Sequence, residues 1–209
     1  MSIAVLPCAQ AAEDSPYRTA GACDGFPRLP VVTAPGVCVG LIASGFKFPR
    51  GILPLDNGDL LVVDMGSWTP NRGSLWLLRK SASGYQRKRL LDKLDRPHGL
   101  ALGPDDKVYV GAVGRVLRFD PSDPSGTLTD VIGGKSGVGA LSTTGRHPLV
   151  NMVFGKDGGL FVSVRSASDN CEDATHNPPP PPTSPAQKPK ATRRAGRFVA
   201  TPCVGQKAK

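Results

Sequence analysis

No stretch of roughly 18 consecutive apolar residues occurs in this chain, which excludes a helical membrane span. Acid is missing from one whole region: residues 183–209 hold Lys188, Lys190, Arg193, Arg194, Arg197, Lys207 and Lys209 but no Asp or Glu. Taking those seven bases from the total of 26 leaves 19 against 17 acids, so the net charge of +9 falls to +2 for the rest of the chain. The basic character therefore belongs to a tail and not to a folded surface. Such a tail can attract phosphate or anionic lipid without specificity. No groove-reading motif accompanies it, so a specific nucleic-acid partner is not expected and a solvated end is.

Basic residues are also missing from the first dozen positions. Residues 1–12 end in an Ala-rich stretch like a secretory cleavage site, yet they lack the positive n-region and a full apolar run. They read as a signal-peptide remnant before an exported, periplasmic or secreted protein. Cys8 lies inside that remnant. Cys23 and Cys38 have no histidine nearby and are too widely spaced for a zinc knuckle, so a disulfide pinning the N-terminal arm is expected. The four cysteines beyond Cys8 allow three pairings, and Cys171–Cys203 is the natural second pair.

What the chain does have is turn formers, with Gly 25 and Pro 21, and a repeat. Phe48-Pro49-Arg50-Gly51 leads through Asp56-Asn57-Gly58 to the apolar Leu60-Leu61-Val62-Val63. Arg96-Pro97-His98-Gly99 leads through Gly103-Pro104-Asp105 to Val108-Tyr109-Val110. Arg146-His147-Pro148 leads through Gly155 and Asp157 to Leu160-Phe161-Val162. The turn residues Asp56, Asp105 and Asp157 stand 49 and 52 apart (105 − 56 and 157 − 105). They are turn formers, because Asp and Gly supply the φ/ψ values that hairpins need. A strand-built period of this size points to propeller blades. The first unit, about 46–92, predicts strands near 51–55, 60–64, 74–79 and 86–91. The second, about 94–133, predicts strands near 99–102, 107–112, 115–119 and 127–132. A third begins near Gly145 and stops after Val164, and a short apolar strand is expected at 39–43. The fold class is thus all-β: an incomplete β-propeller with two full four-stranded blades, part of a third, and a disordered C-terminal tail. The regions are a signal remnant at 1–12, an arm at 13–38, the partial propeller at 39–172, and a Pro-rich basic tail at 173–209. Trp68 and Trp76 are expected to pack between blades.

The ordered set Arg96-Pro97-His98-Gly99-Leu100, Gly103-Pro104-Asp105 and Gly114-Arg115-Val116-Leu117-Arg118 resembles the soluble glucose/sorbosone dehydrogenases. These are six-bladed propellers that use pyrroloquinoline quinone. Residues 145–155, 160–164 and Asp169-Asn170-Cys171 look like that family's active-site blade, where a histidine eight residues before the turn glycine acts as base; His147 and Gly155 have that separation. The likeness covers about 39–172 and implies oxidation of an aldose or aldehyde, with hydride passing to the quinone and calcium polarising it. It implies His147 as base with Asp169 as the nearest acid to orient it, and Arg146, His98 and Arg50 as cofactor-binding residues. A small sugar or aldehyde and an external electron acceptor are the implied partners. Arg165-Ser166 stand where the glucose enzymes carry their orienting aspartate, and the family's calcium ligands lie in blades that these 209 residues do not reach. The chain accordingly reads as an N-terminal fragment with little or no turnover of its own.

Other readings stand beside this one. His147 can cap a strand at the channel mouth, and His98 and Arg50 can line a central channel. Asp169, Glu172 and Asp173 can be loop acids instead of cation ligands. From a different class comes a non-catalytic propeller-repeat binding module that self-associates through exposed strand edges.

Overall fold

The computed structural model describes residues 17–82, 84–137, 139, 141, 143 and 150–164. The remnant at 1–12, the tail at 173–209 and the Cys171–Cys203 pair lie outside them. Among the described residues no helix is formed, and the strands make antiparallel sheets of which none closes into a barrel.

A short hairpin of β1 (Ala22–Cys23) and β2 (Phe26–Pro27) comes first. A four-stranded sheet follows in chain order: β3 (Pro49–Pro54), β4 (Leu60–Asp64), β5 (Gly73–Ser81) and β6 (Gly84–Leu94). The second sheet repeats the order with β7 (Leu100–Leu102), β8 (Val108–Ala112), β9 (Arg115–Phe119) and β10 (Thr129–Ile132). The third contains β11 (Val150–Phe154) and β12 (Leu160–Val164). The first strands of successive sheets lie against each other, β3 on β7 and β7 on β11. Three successive up-and-down sheets converging on their first strands are the blades of an incomplete propeller.

The core lies between blades. Period-two alternation sends Leu61 and Val63 of β4 forward, onto Val108, Val110, Leu117 and Phe119 of the second blade. On β8 the neighbours of those residues turn the other way: Tyr109, with Ala101 and Val116, packs on Val150, Met152, Leu160 and Val162 of the third blade. All five residues of β8 are buried as a result. The Tyr109 and Phe154 rings meet edge to face at 4.8 Å across that second interface. Glycines let the blades close. A Cβ on Gly51 would stand 2.5 Å from the His98 carbonyl, and one on Gly99 would stand 2.9 Å from the Val150 carbonyl.

The strand expectations hold in both full blades, with shifts at the ends. Three expectations change. The turns align through the bonds that close them, Leu55 N–H to the Asp59 carbonyl, Gly103 to Lys107 and Gly155 to Gly159. This puts Asn57, not Asp56, in register with Asp105 and Asp157. Each of the three accepts from the backbone N–H two residues on, at 3.0, 3.3 and 3.1 Å. The side-chain amide oxygen of Asn57 makes this Asx turn as well as a carboxylate does, so the turn position falls one residue after the expected Asp56. Second, the stretch at 39–43 forms only an isolated bridge, Gly40 to Arg28, instead of a strand. The arm is pinned by the expected Cys23–Cys38 disulfide, S–S 2.01 Å.

Third, neither tryptophan packs between blades. Trp76 lies on the rear face of the first blade, beneath Phe46 of the segment leading into β3, at 6.1 Å between ring centroids. The Arg87 and Arg89 guanidiniums each lie 4.8 Å from the Trp76 ring centre. Trp68 is 48% exposed in the β4–β5 loop.

Candidate functional site

Antiparallel pairing sets Pro49 opposite Asp64, Leu100 opposite Val110 and Val150 opposite Val164. The starts of β3, β7 and β11 therefore share one end of the sheets with the ends of β4, β8 and β12. Arg50 and His98 belong to this end.

Asp64 organises it. The carboxylate is 5% exposed and accepts from the backbone N–H groups of Lys47 at 2.9 Å, Phe48 at 2.7 Å and Gly66 at 3.0 Å. A buried carboxylate needs this full satisfaction, because an unpaired charge at such depth would be costly. The bonds tie the entry to β3 onto the loop after β4, which brings Arg50 over Trp68 with the guanidinium carbon 5.8 Å from the ring centre. Among the described residues Arg50 makes no ion pair, so its charge is held by an indole face and not by a carboxylate.

His98 enters differently. Arg96 takes a φ of 45°, uncommon for a residue with a Cβ, and its Nε donates to Asp95 at 2.7 Å. Pro97 is fully buried behind it. The His98 backbone N–H donates to the Gly111 carbonyl at 2.8 Å, and its Nδ1 is shielded from solvent. The backbone of His98 sits at the seam between the first and second blades, its carbonyl 2.5 Å from where a Cβ on Gly51 would stand.

Arg50 and His98 are equivalent: each stands five residues before its turn position (55 − 50 and 103 − 98). Counting back five from Gly155 reaches Val150, which is fully buried, whereas His147 stands eight back. His147, which lies outside the described residues, is therefore not the positional equivalent of Arg50 and His98. Arg146, His147 and Asp169, like the acids Glu172 and Asp173, lie outside the described residues. Trp68 and Asp64 are the members that sequence reasoning missed. The one signal for Asp64 was a carboxylate closing the apolar run Leu60 to Val63 just before Met65-Gly66.

Among the described residues, two titrating groups moved from their ordinary values, Tyr109 and Asp120, lie at the opposite, turn end. Burial raises the Tyr109 phenol above its ordinary 10.0; a hydrogen bond with Arg118 opposes this and Asp105 adds to it. The Lys107 ammonium bonded to Asp120, helped by Ser122, holds that carboxyl well below the usual carboxylate range. Among the described residues no group of three or more His, Cys, Asp or Glu could hold a metal. A guanidinium backed by an indole can hold a planar anionic group.

No family model and no curated protein matches this chain. Solved structures resemble it remotely. An auxiliary nutrient binding protein from Bacteroides ovatus is 19% identical, with 60% of this chain and 28% of that one covered at a TM-score of 0.45. The iodide structure of a Trichoderma reesei protein of Carbohydrate-Active Enzymes Family AA12 is 22% identical over 77% of this chain and 37% of that one, TM-score 0.49. Its calcium structure gives 20%, 77%, 37% and 0.47. The chain thus spans 28–37% of the length of these neighbours, and neither substrate nor cofactor is carried over from them.

Proposed function

We propose that the chain contributes part of the wall of a quinone-dependent sugar or aldehyde dehydrogenase site, in an exported, periplasmic or secreted protein. One observation carries the reading: the motif set at 96–118 and 145–171 resembles the glucose/sorbosone dehydrogenases, and the stretch before β7 in that set lies with Arg50 at one end of the converging strands. The Cys23–Cys38 disulfide supports an oxidising compartment.

The described residues fit the quinone better than the calcium. Pyrroloquinoline quinone is planar and carries carboxylates, and Arg50 stacked on Trp68 offers a cation and a flat apolar surface for it. Asp64, the buried carboxylate at this end of the first blade, is spent on three backbone donors, so no step is assigned to calcium. When bound, the quinone supplies a two-electron acceptor for hydride from the sugar carbon, and an external acceptor reoxidises it. His147 takes the hydroxyl proton on an imidazole nitrogen, a task suited to a group that is neutral near pH 7. Arg50 and His98 orient the cofactor by charge and hydrogen bonding.

The test adds pyrroloquinoline quinone and calcium to the purified chain and follows both quinone binding and dye reduction with glucose, sorbosone and other aldoses. Binding that weakens about 10-fold in Arg50→Ala, as loss of one charge-assisted contact implies, and turnover, however slow, that disappears in His147→Ala, support the reading. Absence of quinone binding overturns it.

A further inference from the structure

Each blade has a forward and a rear face, and the equivalent positions can be followed from blade to blade. On the first strands the forward residues are Leu53, Ala101 and Val153, and the rear residues are Ile52, Leu100 and Met152 (52, 100 and 152 in the same register). Leu53 and Leu100 pack in the first interface, and Ala101 and Met152 in the second. This leaves two members of the series over: Val153, forward on the last described blade, and Ile52, at the rear of the first. Both are 61% exposed.

We propose that these faces meet between molecules, the forward face of the third blade of one copy stacking on the rear face of the first blade of a second copy. The argument is continuity with the interfaces already present. Val153 against Ile52 would be the third instance of a forward-to-rear apolar pair that the chain builds twice within itself. Phe161, cross-strand partner of Val153 and equivalent to Leu61 and Tyr109, is half-buried and adds an aromatic to the forward side. The segment leading into β3 limits the opposite face: Phe46 covers Trp76 on the outer strands, and Val62 is 3% exposed, so the inner strip along Ile52 is what remains to be covered. Asn151 and Ser163 stand where Gly99 and Gly111 let the second interface close, so contact is made at the turn end, through Val153 and Phe161. Because the two faces differ, the contact is heterologous, and it either closes into a ring or extends.

The experiment is sedimentation velocity over a concentration series on the full chain, with Ile52→Asp and Val153→Asp. Wild type is expected to assemble, and each variant alone to lose the assembled species, since each keeps only one of the two faces. An equimolar mixture is expected to give a dimer and nothing larger: Ile52→Asp offers the forward face and Val153→Asp the rear. Circular dichroism and retention of the Cys23–Cys38 disulfide check folding of each variant. A monomeric wild type, a single variant that still assembles, or a mixture of folded variants that stays monomeric would each overturn the proposal. The readout is mass, independent of quinone binding, so its failure and that of the functional reading are separable.

Discussion

β4, β8 and β12 are the same strand in three blades, yet they are buried differently. Val62 and Val63 of β4 are buried on opposite faces, and all five residues of β8 are buried. On β12, Leu160 and Val162 are buried while Ser163 between the faces is exposed. The reason lies outside the strands. Among the described residues the middle blade has a neighbour on each side, the first has one neighbour plus the segment leading into β3, and the third has one neighbour. Burial in this architecture is thus conferred by the next blade or by whatever stands in for it, and a strand's own sequence only permits it.

The comparison can be broken most sharply at Phe119, 1% exposed between the first two blades. Phe119→Ala is expected to cost about 3–5 kcal/mol in denaturant unfolding, transfer plus cavity. Val153→Ala, on the uncovered face, should stay within about 0.5 kcal/mol for the monomer. Removing what stands in for a neighbour comes next. Asp64→Ala deprives three backbone donors of their acceptor and should cost about 3 kcal/mol. It should also raise hydrogen exchange at the Lys47 and Phe48 amides while leaving the second interface protected. Gly99→Ala tests close approach: a Cβ 2.9 Å from the Val150 carbonyl must push the third blade away, at about 1–3 kcal/mol.

Tyr109→Phe is the smallest change. The hydroxyl donates to Asp105 at 3.1 Å, and its loss should cost about 1 kcal/mol near neutral pH. The pH dependence adds a sign. Burial raises the folded pKa above 10.0, so the fold favours the neutral phenol. Stability from this group is complete below the unfolded value and is lost as pH rises through the folded one. Alkaline titration of the unfolding free energy should therefore bring wild type down towards the variant, and a gap that widened above that range would contradict the assignment.

Much of the fold was legible because period two and turn chemistry are local. Leu60 to Val63 announces a strand buried on both sides, and Gly103-Pro104-Asp105 announces a hairpin. The register of the first turn was not, since Asp56 and Asn57 are adjacent and either can form an Asx turn. Only the backbone bond from Leu55 to Asp59 decides between them. At the candidate site the sequence offered Arg50 and His98 by their place before Gly51 and Gly99. It could not offer Trp68, whose meeting with Arg50 depends on Asp64 fastening two segments far apart in the chain.

By itself the sequence determined, apart from their ends, which residues of the blades become strands, where two of the three turns fall, and that the basic charge stays in the last residues. Those outcomes follow from backbone conformational preference and side-chain alternation, which neighbours along the chain fully specify. Tertiary structure alone decided which face of each strand is covered, that the tryptophans of the first blade serve its rear surface and its loop instead of a blade interface, and that Ile52 and Val153 are left over. These depend on which blade or arm stands next in space, and a hydrophobic side chain does not choose its partner until one is brought against it.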